Sequence, residues 1–301
     1  MPKFADILLK SNCIFTAAGE LPFAGYVAVA DGKILAALND ATQPKIAIDT
    51  NGAIVEASYK DTKRMLGSEY GMEGKVDNDG NGVMKEWDAQ SAAFSAFCAG
   101  KTAAEVAGLQ TQEAGGHLIA VDTALLEAGC SMQITDFMAA VAKACSDKHA
   151  VTFEAGEGFK LGVAAKSTAA ESKAASAEGN GSANLYSDFG AAVVGTDGKI
   201  LAALNDATQP KISVSTAGAI TNADYKGTKR ELGDAYGMVA YGGAAKEWFE
   251  QAAAFDAACI GKTAAEIASL MADNNYGVAD LQSAGCTILV TGLVKAASKI
   301  G

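Results

Sequence analysis

Residues 31–46 read DGKILAALNDATQPKI, and residues 197–212 repeat the same sixteen letters 166 positions later. The match continues at that offset, because TKRMLGSEYGM at 62–72 aligns with TKRELGDAYGM at 228–238. The repeated unit is roughly 110–125 residues long, which is the size of an independent domain rather than of a solenoid repeat. The chain is therefore predicted to contain two copies of one domain.

The repeat predicts a first domain at 1–150 and a second domain at 185–301. The segment at 151–184 lies between them, and its later part is rich in Ala, Ser, Gly and charge. Such a composition offers little apolar surface to bury. We expect this segment to be either a linker or the leading strand of the second domain.

Each copy changes its hydrophobic period partway along. The first part contains the β-type runs GYVAVA, KILAAL and KIAID, with DG, ND and NG as expected turn-formers. The second part has apolar residues at helical spacing, for example Trp248, Ala252, Phe255 and Cys259. The sequence predicts an α+β fold: two tandem homologous domains, each a small antiparallel β-meander followed by helices.

Both copies carry a Gly-Lys-Thr triplet, at 100–102 and 261–263. A phosphate-binding loop needs another Gly five positions before the Gly-Lys pair, where this chain has Ser95 and Asp256. The plainer interpretation is that each Gly ends one helix in a left-handed cap and each Thr begins the next in a capping box. We favour this structural interpretation over nucleotide binding.

Four of the six cysteines recur in matching positions, Cys98 with Cys259 and Cys130 with Cys286. One disulfide in each domain is conceivable in an exported protein. Cys98 and Cys259 lie on predicted apolar helix faces, however, where a free thiol behaves as a small hydrophobe. Buried thiols are the favoured interpretation.

The first copy has five extra residues, and they fall within VDNDGNGVMKEWD at 76–88. This stretch resembles a calcium-binding loop, in which carboxylates and a carbonyl surround the cation and Gly makes a tight turn. The candidate ligands are Asp77, Asp79, Asn81, Val83 (through its carbonyl) and Asp88, with Gly82 at the turn. The alternative is an acidic surface turn built from Asp, Asn and Gly.

Charge and hydropathy exclude some partners. The formal net charge is -11 and the only arginines are Arg64 and Arg230, so the clustered cations that nucleic acid requires are missing. The longest apolar runs fall short of the roughly 20 residues of a membrane span, and the first residues lack the apolar core of a signal peptide. We expect a soluble chain that binds no nucleic acid and carries no export signal.

The stretch at 5–36 resembles the N-terminal strand region of metal-dependent amidohydrolases. Those enzymes hold their metals with an HxH pair and further histidines. This chain has two histidines, His117 and His149, and no HxH pair. Amidohydrolase activity is therefore not expected.

A second resemblance covers most of both copies. The succession DGKI, TKRELGDAYGM, KEWFEQAAAF, GKTAAEI and AGCTI resembles repeats in Firmicute envelope lipoproteins related to FMN-binding domains. In flavin-carrying members of that group, a short motif supplies the Ser or Thr that is esterified to the flavin phosphate. The resemblance implies a cell-envelope location and makes Ser131 and Thr287 the candidate flavin attachment residues. The alternative is that AGCS and AGCT are turns before the last helix, with Ser131 and Thr287 as local hydrogen-bond partners.

These observations favour a non-catalytic tandem-repeat protein for binding or assembly, because the duplicated features are explained by caps, cores and turns. An FMN-binding electron carrier is the alternative, and a calcium-dependent binding module is a further one. Two related domains in one chain also suggest self-association, and head-to-tail contacts that do not close would give a filament.

Overall fold

The computed structural model describes residues 4–10, 23–48, 54–78, 80, 82–146, 149–154, 158–217, 219–223 and 225–300. The strands, in chain order, are β1 Phe4–Lys10, β2 Phe23–Ala30, β3 Lys33–Ala41, β4 Gln43–Ile48, β5 Ile54–Lys60, β6 Thr111–Ala114, β7 His117–Ala120, β8 Val151–Glu154, β9 Phe159–Thr168, β10 Gly181–Asn184, β11 Tyr186–Gly195, β12 Ile200–Thr208, β13 Lys211–Val214 and β14 Ile220–Asn222. The α-helices are α1 Lys63–Leu66, α2 Trp87–Cys98, α3 Ala103–Ala107, α4 Thr123–Glu127, α5 Thr135–Ala144, α6 Lys229–Leu232, α7 Trp248–Cys259, α8 Ala264–Ile267, α9 Ala279–Ser283 and α10 Thr291–Ala297. Short 3₁₀ helices lie at Gly67–Tyr70, Gly233–Tyr236 and Ala268–Leu270. We call the described residues up to 154 the first half and those from 158 onward the second half.

Two antiparallel sheets form the centre of the molecule, with strand orders β3-β2-β1-β8 and β12-β11-β9. Smaller antiparallel groups are β4-β5, β6-β7 and β10-β13-β14. Asp31 and Gly32 both have positive φ, at 52° and 72°, and form the expected tight turn between β2 and β3. These sheets and helices confirm the predicted α+β class.

The two central sheets pack face to face, with β3 against β9 and β8 against β12. Helices cover the outer faces, α2 and α5 on the first sheet and α7 and α10 on the second. Side chains alternate accordingly along β11, because Ala192 belongs to the core under the helices whereas Val193 belongs to the core between the sheets. That central core combines Tyr26 and Phe153 of the first half with Phe189 and Leu204 of the second. The fold thus has four layers, helices–sheet–sheet–helices, and the halves share a core.

The structure confirms the capping interpretation of the Gly-Lys-Thr triplets. Gly100 and Gly261 have φ of 79° and 77°, and Thr102 and Thr263 each form a capping box. The same turn is bonded to the edge strand, since Ile34 N–H donates to the Lys101 carbonyl at 2.8 Å and Gly100 N–H donates to the Ile34 carbonyl at 2.8 Å. The second half repeats both bonds around Ile200. Each triplet therefore joins a helix pair to the repeated strand.

The expectation that the Asn-Asp pair interrupts the repeated stretch is wrong. Asn39 and Asp40 belong to β3, and both are buried. Asp40 accepts hydrogen bonds from Thr62 Oγ1 at 2.6 Å and from Arg64 N–H at 3.0 Å, so it caps the beginning of α1. The buried Asp40 carboxylate is stabilised in the strand by partners more than twenty residues away, and turn propensity takes no account of such distant contacts.

The segment at 151–184 carries β8, β9 and β10. β8 extends the first central sheet and β9 forms an edge of the second. Between β9 and β10 the chain is ordered by the Lys173–Ser182 bridge and by Asn184 Nδ2, which donates to the Glu171 carbonyl at 2.7 Å. In the described part of the chain, no helix is long and apolar enough to cross a lipid bilayer.

Candidate functional site

A cavity of about 730 Å³ lies in the second half, where β9, β10 and β11 meet the segments that lead into α7 and α10. Its size is in the range of small-molecule sites. Its wall combines aromatic rings, three lysines and a few buried polar groups. The lining residues are Lys166, Thr168, Glu171, Asn184, Tyr186, Asp188, Gln209, Lys229, Tyr236, Met238, Trp248, Tyr276, Thr287, Ile288, Leu289, Thr291, Gly292 and Lys295.

Lys229, the first residue of α6, is the buried cation of this wall. Its side-chain nitrogen lies 4.7, 4.8 and 5.2 Å from the ring centroids of Tyr186, Tyr236 and Trp248. It also donates a hydrogen bond to Tyr186 Oη at 3.0 Å. Burial lowers the pKa of Lys229 to about 8, although Asp188 and Asp206 act in the opposite direction.

Tyr186 connects Lys229 to a buried carboxylate. Both Tyr186 and Asp188 lie on β11, two positions apart, and their side chains line the same cavity and interact electrostatically. Burial raises the pKa of Asp188 to about 7, with Lys229 acting against that rise. Gly292 of α10 makes room for this carboxylate, because a β-carbon at position 292 would overlap Asp188 Oδ2. Lys229, Tyr186 and Asp188 thus form a series of neighbouring polar groups, which we call the Lys-Tyr-Asp relay.

The first half provides an internal comparison for this relay. Lys63 matches Lys229, and its side-chain nitrogen also lies over Tyr70 and Trp87, at 4.9 and 5.7 Å from their ring centroids. The residues at one matched strand position differ in chemistry, however. Phe23 pairs with Ala41 where Asp188 pairs with Ala207, so phenylalanine occupies the position of the buried aspartate.

On the helix, the acidic residue is in the first half instead of the second. Asp136 in TDF at 135–137 matches Gly292 in TGL at 291–293. At these two matched positions each half therefore has one aspartate in its sequence, on the helix in the first half and on the strand in the second. Because the first half folds without an aspartate on the strand, the fold itself does not require Asp188, and a costly buried carboxylate in a cavity is a candidate functional group.

A second buried cluster lies beneath the cavity and has a structural role. Asp206 accepts from Arg230 N–H at 3.1 Å and from Ala207 N–H at 2.8 Å, as Asp40 does in the first half. The Arg230 guanidinium forms an ion pair with Asp256, and both side chains are less than a tenth exposed. The first half has Ser95 at the position of Asp256. This ion pair is therefore specific to the half that contains the cavity.

The two candidate flavin attachment residues differ in surroundings. Thr287 lines the cavity, and its N–H and hydroxyl both donate to Gln251 Oε1, at 2.8 and 3.0 Å. Ser131 is buried, and its N–H donates to Gln90 Oε1 at 3.0 Å. Both residues thus donate a backbone N–H to a helix glutamine that is distant in sequence, 36 residues away for Thr287 and 41 for Ser131. Attachment of flavin to either one stays a prediction.

Part of the candidate calcium loop lies outside the described residues, namely Asp79 and Asn81. Asp77 closes a tight turn, because its Oδ1 accepts Gly82 N–H at 3.0 Å. Val83 forms a β-bridge with Val76, and Asp88 lies in the first turn of α2. Among the residues that the structure describes, no group of three or more His, Cys, Asp or Glu side chains is arranged to hold a metal ion. Calcium binding stays a prediction.

Five cysteines lie in the described part of the chain, and all five are free thiols. The four repeated ones, Cys98, Cys130, Cys259 and Cys286, are fully buried, which confirms the buried-thiol interpretation for them. Burial raises the pKa of Cys98 and of Cys130 to about 12, so these thiols stay protonated and unreactive at neutral pH. Cys13 lies outside the described residues.

The buried carboxyls predict an unusual dependence of stability on pH. Burial raises the pKa of Asp40 and Asp256 to about 6 and that of Asp188 and Asp206 to about 7. In the unfolded chain such groups titrate near about 3.9, so between about pH 4 and 7 the folded chain binds more protons and gains stability as pH falls. We expect the free energy of unfolding, from urea titrations, to be at least about 1 kcal/mol larger at pH 5 than at pH 7.

The helix-capping glutamates do not oppose this trend in the same window. The pKa values of Glu105 and Glu266 are lowered by hydrogen bonds from their threonine partners, so their contribution is lost only below the ordinary glutamate range. Asp188→Asn should remove part of the rise toward pH 5, whereas Asp197→Asn, on an exposed turn, should leave it unchanged. A stability that falls steadily from pH 7 to pH 5 would contradict the prediction.

Sequence reasoning missed the relay. The repeated TKR motif contains Lys229, but the same motif contains Lys63, and nothing local distinguishes them. The usable signal was the difference between copies at position 188, where a strand of apolar residues gains a carboxylate. No family model, curated protein or solved structure is similar enough to this chain to count as a match.

Proposed function

We propose that this chain is a non-catalytic tandem-repeat binding protein whose second half holds a small, planar, anionic organic molecule. The observation that carries the proposal is the cavity of about 730 Å³ with its mixed wall of rings, lysines and buried polar groups. Sites of this kind combine apolar contact area with a few polar groups that fix orientation. On this proposal, the first half contributes the sheet β3-β2-β1-β8, which covers the other side of the central core.

The wall favours a planar ring system with an acidic substituent. Tyr236, Trp248 and Tyr276 contribute aromatic rings to the wall, and Lys229 lies over the rings of Tyr236 and Trp248. Lys166 and Lys295 are exposed lysines of the same wall, in a chain whose formal net charge is -11. Three lysines against Glu171 and Asp188 give the wall an excess of cationic side chains, which favours anions over cations.

A titration with FMN and riboflavin tests this proposal. Trp248 lines the cavity, so in a Trp87→Phe background its fluorescence reports binding. We expect FMN to quench the fluorescence in a saturable way and to bind more tightly than riboflavin, which lacks the phosphate. Lys295→Ala should weaken FMN by roughly fivefold, about 1 kcal/mol, and leave riboflavin unchanged.

Lys101→Ala is the matched control, because Lys101 belongs to the first half and should not affect either ligand. Equal affinity of FMN and riboflavin would contradict the role of the lysines. Failure of both compounds, and of other planar acids, to quench Trp248 would overturn the binding proposal itself.

An FMN-binding electron carrier is the second candidate. It is favoured by the place of Thr287 in the cavity wall together with the resemblance of both repeats to flavin-binding relatives. A bound flavin would give the purified protein an absorbance band at about 450 nm, which is a property of that cofactor. A band that survives acid precipitation, and is lost in Thr287→Ala but kept in Ser131→Ala, would support covalent attachment. Colourless, folded protein would count against the carrier.

The envelope location and the self-association are further proposals, and neither is argued from the cavity. The location rests on the resemblance, and self-association rests on the tandem arrangement. A monomeric mass by light scattering across a wide concentration range would count against assembly.

A further inference from the structure

The surroundings of the Lys229 amine suit a nucleophile as well as a positive charge. Among the described residues, three aromatic rings and the Tyr186 hydroxyl lie around its nitrogen, and the side chain forms part of the cavity wall. An amine in such a place is shielded from water but open to a molecule in the cavity. A neutral amine is a nucleophile toward carbonyl carbon, and a desolvated site is where enzymes and binding proteins keep lysine neutral.

Among the described residues, the charged and titratable groups that face this amine or share its cavity come from several elements. Tyr186 and Asp188 belong to β11, Asp206 to β12 and Tyr236 to the 3₁₀ helix at Gly233–Tyr236. The same cavity is lined by Lys166 of β9, Glu171, Tyr276 and Lys295 of α10. Burial opposes the charge of Lys229 more strongly than Asp188 and Asp206 support it, so its pKa falls to about 8. At pH 7 to 8 a substantial fraction of the amine is therefore neutral, which is unlike an ordinary lysine.

We propose that Lys229 captures a planar aromatic aldehyde or ketone in this cavity as a reversible imine. This inference rests on the proposed function in one respect, namely that the cavity admits a small organic ligand. The nitrogen adds to the carbonyl carbon while the carbonyl oxygen takes a proton from Tyr186. One of the two nitrogen protons then returns to Tyr186 and gives the neutral carbinolamine. Its hydroxyl takes a proton from Tyr186 and leaves as water while the C=N bond forms, and the remaining nitrogen proton returns to Tyr186. Amine and carbonyl give imine and water, so no oxidant or reductant is consumed.

The comparison between halves separates this role from a structural one. Lys63 has the ring contacts that a packing role requires, but the strand position that holds Asp188 is Phe23 in the first half. A proton relay is needed only if the amine exchanges protons with a ligand. The relay is present in the half with the cavity, where it brings the cost of burying Asp188.

Borohydride trapping of 4-formylbenzoate, a planar aromatic aldehyde with an acid group, tests the proposal. The unmodified full chain is treated with the aldehyde and sodium borohydride, and the labelled lysines are located by peptide mass spectrometry. We expect Lys229 to be labelled at least about tenfold faster than Lys63 at pH 7.5, with a rate that rises through about pH 8. Excess terephthalate, which has no aldehyde, should protect Lys229 by occupying the cavity.

Two variants and one control complete the test. Tyr186→Phe and Asp188→Asn should each slow labelling of Lys229 by about tenfold while the protein keeps its circular dichroism spectrum, since each removes one member of the relay. Tyr70→Phe alters the matching ring of the first half and should leave labelling of Lys229 unchanged. Both variants retain Lys229 itself, so the target of the reaction is present throughout.

The outcomes distinguish this inference from the binding proposal. If terephthalate quenches Trp248 but Lys229 is labelled no faster than Lys63, the imine is overturned and the binding site stands. If neither compound reaches the cavity, both proposals fail. Fast labelling of Lys229 that terephthalate does not slow would place the reaction outside the cavity and would also overturn the inference.

Discussion

Replacing Asp256 with alanine should lower the free energy of unfolding by about 3–5 kcal/mol at pH 7. The Asp256 carboxylate forms an ion pair with the Arg230 guanidinium, and it also accepts hydrogen bonds from the backbone N–H of Asn205 at 2.9 Å and from Asn205 Nδ2 at 2.6 Å. The variant leaves a buried guanidinium without its counter-charge. Asn205 loses an acceptor at the same time, and a buried donor without a partner adds to the penalty.

Asp61→Ala is the control for this experiment. Asp61 pairs with Lys299 at 3.5 Å, but its side chain is 60% exposed, so its loss should change stability by less than about 1 kcal/mol. The double variant Arg230→Met, Asp256→Leu should recover much of the stability, because removing both charges leaves neither one uncompensated. Urea titration measures all three. A loss for Asp256→Ala no larger than that for Asp61→Ala would show that the buried pair is weak.

Gly292→Asp should lower the free energy of unfolding by at least about 2 kcal/mol, and Asp188→Phe in the same chain should restore at least half of it. The single substitution forces a side chain into the volume of Asp188 Oδ2 and brings a second carboxylate beside the first. The double variant recreates the arrangement of the first half, where Phe23 is on the strand and Asp136 is on the helix. The double variant then has one aspartate at these two positions, as each natural half has in its sequence.

The double variant also separates stability from binding. It keeps one aspartate at the two positions but loses the Asp188 carboxylate beside Tyr186, and phenylalanine takes up cavity volume. We expect the folded double variant to have lost the rapid labelling of Lys229 and most of its affinity for FMN. If the two substitutions are simply additive in urea titrations, the two positions do not exchange roles in the way that the repeat suggests.

Local patterns predicted much of this molecule because their causes are local. The helix α7 follows from the spacing of Trp248, Phe255 and Cys259, all of which are buried on its inner face. The left-handed Gly261 and the Thr263 capping box follow from residues within a few positions of each other. Such features depend on backbone sterics and short hydrogen bonds, which the sequence contains explicitly.

The errors and omissions have long-range causes. Asp40 is a turn-former by propensity, yet its partner Thr62 lies 22 residues away and draws it into a strand. Tyr186, Asp188 and Lys229 come from two elements that the third dimension brings together around the cavity. The strand period relates Tyr186 to Asp188, but no period or motif relates either of them to Lys229, so that proximity is not visible along the chain.

The sequence by itself determined the duplication, the α+β class, the helix caps and the apolar faces, because each depends on residue spacing and side-chain chemistry within one unit. The tertiary structure alone decided how the two halves meet and which side chains line the cavity of the second half. The physical reason is that both outcomes depend on how the surfaces of separate elements fit together, which the spacing of residues within one element does not specify. The two sheets stack because each has an apolar face that the other removes from water. The Asp188 carboxylate fits between β11 and α10 because Gly292 has no side chain there.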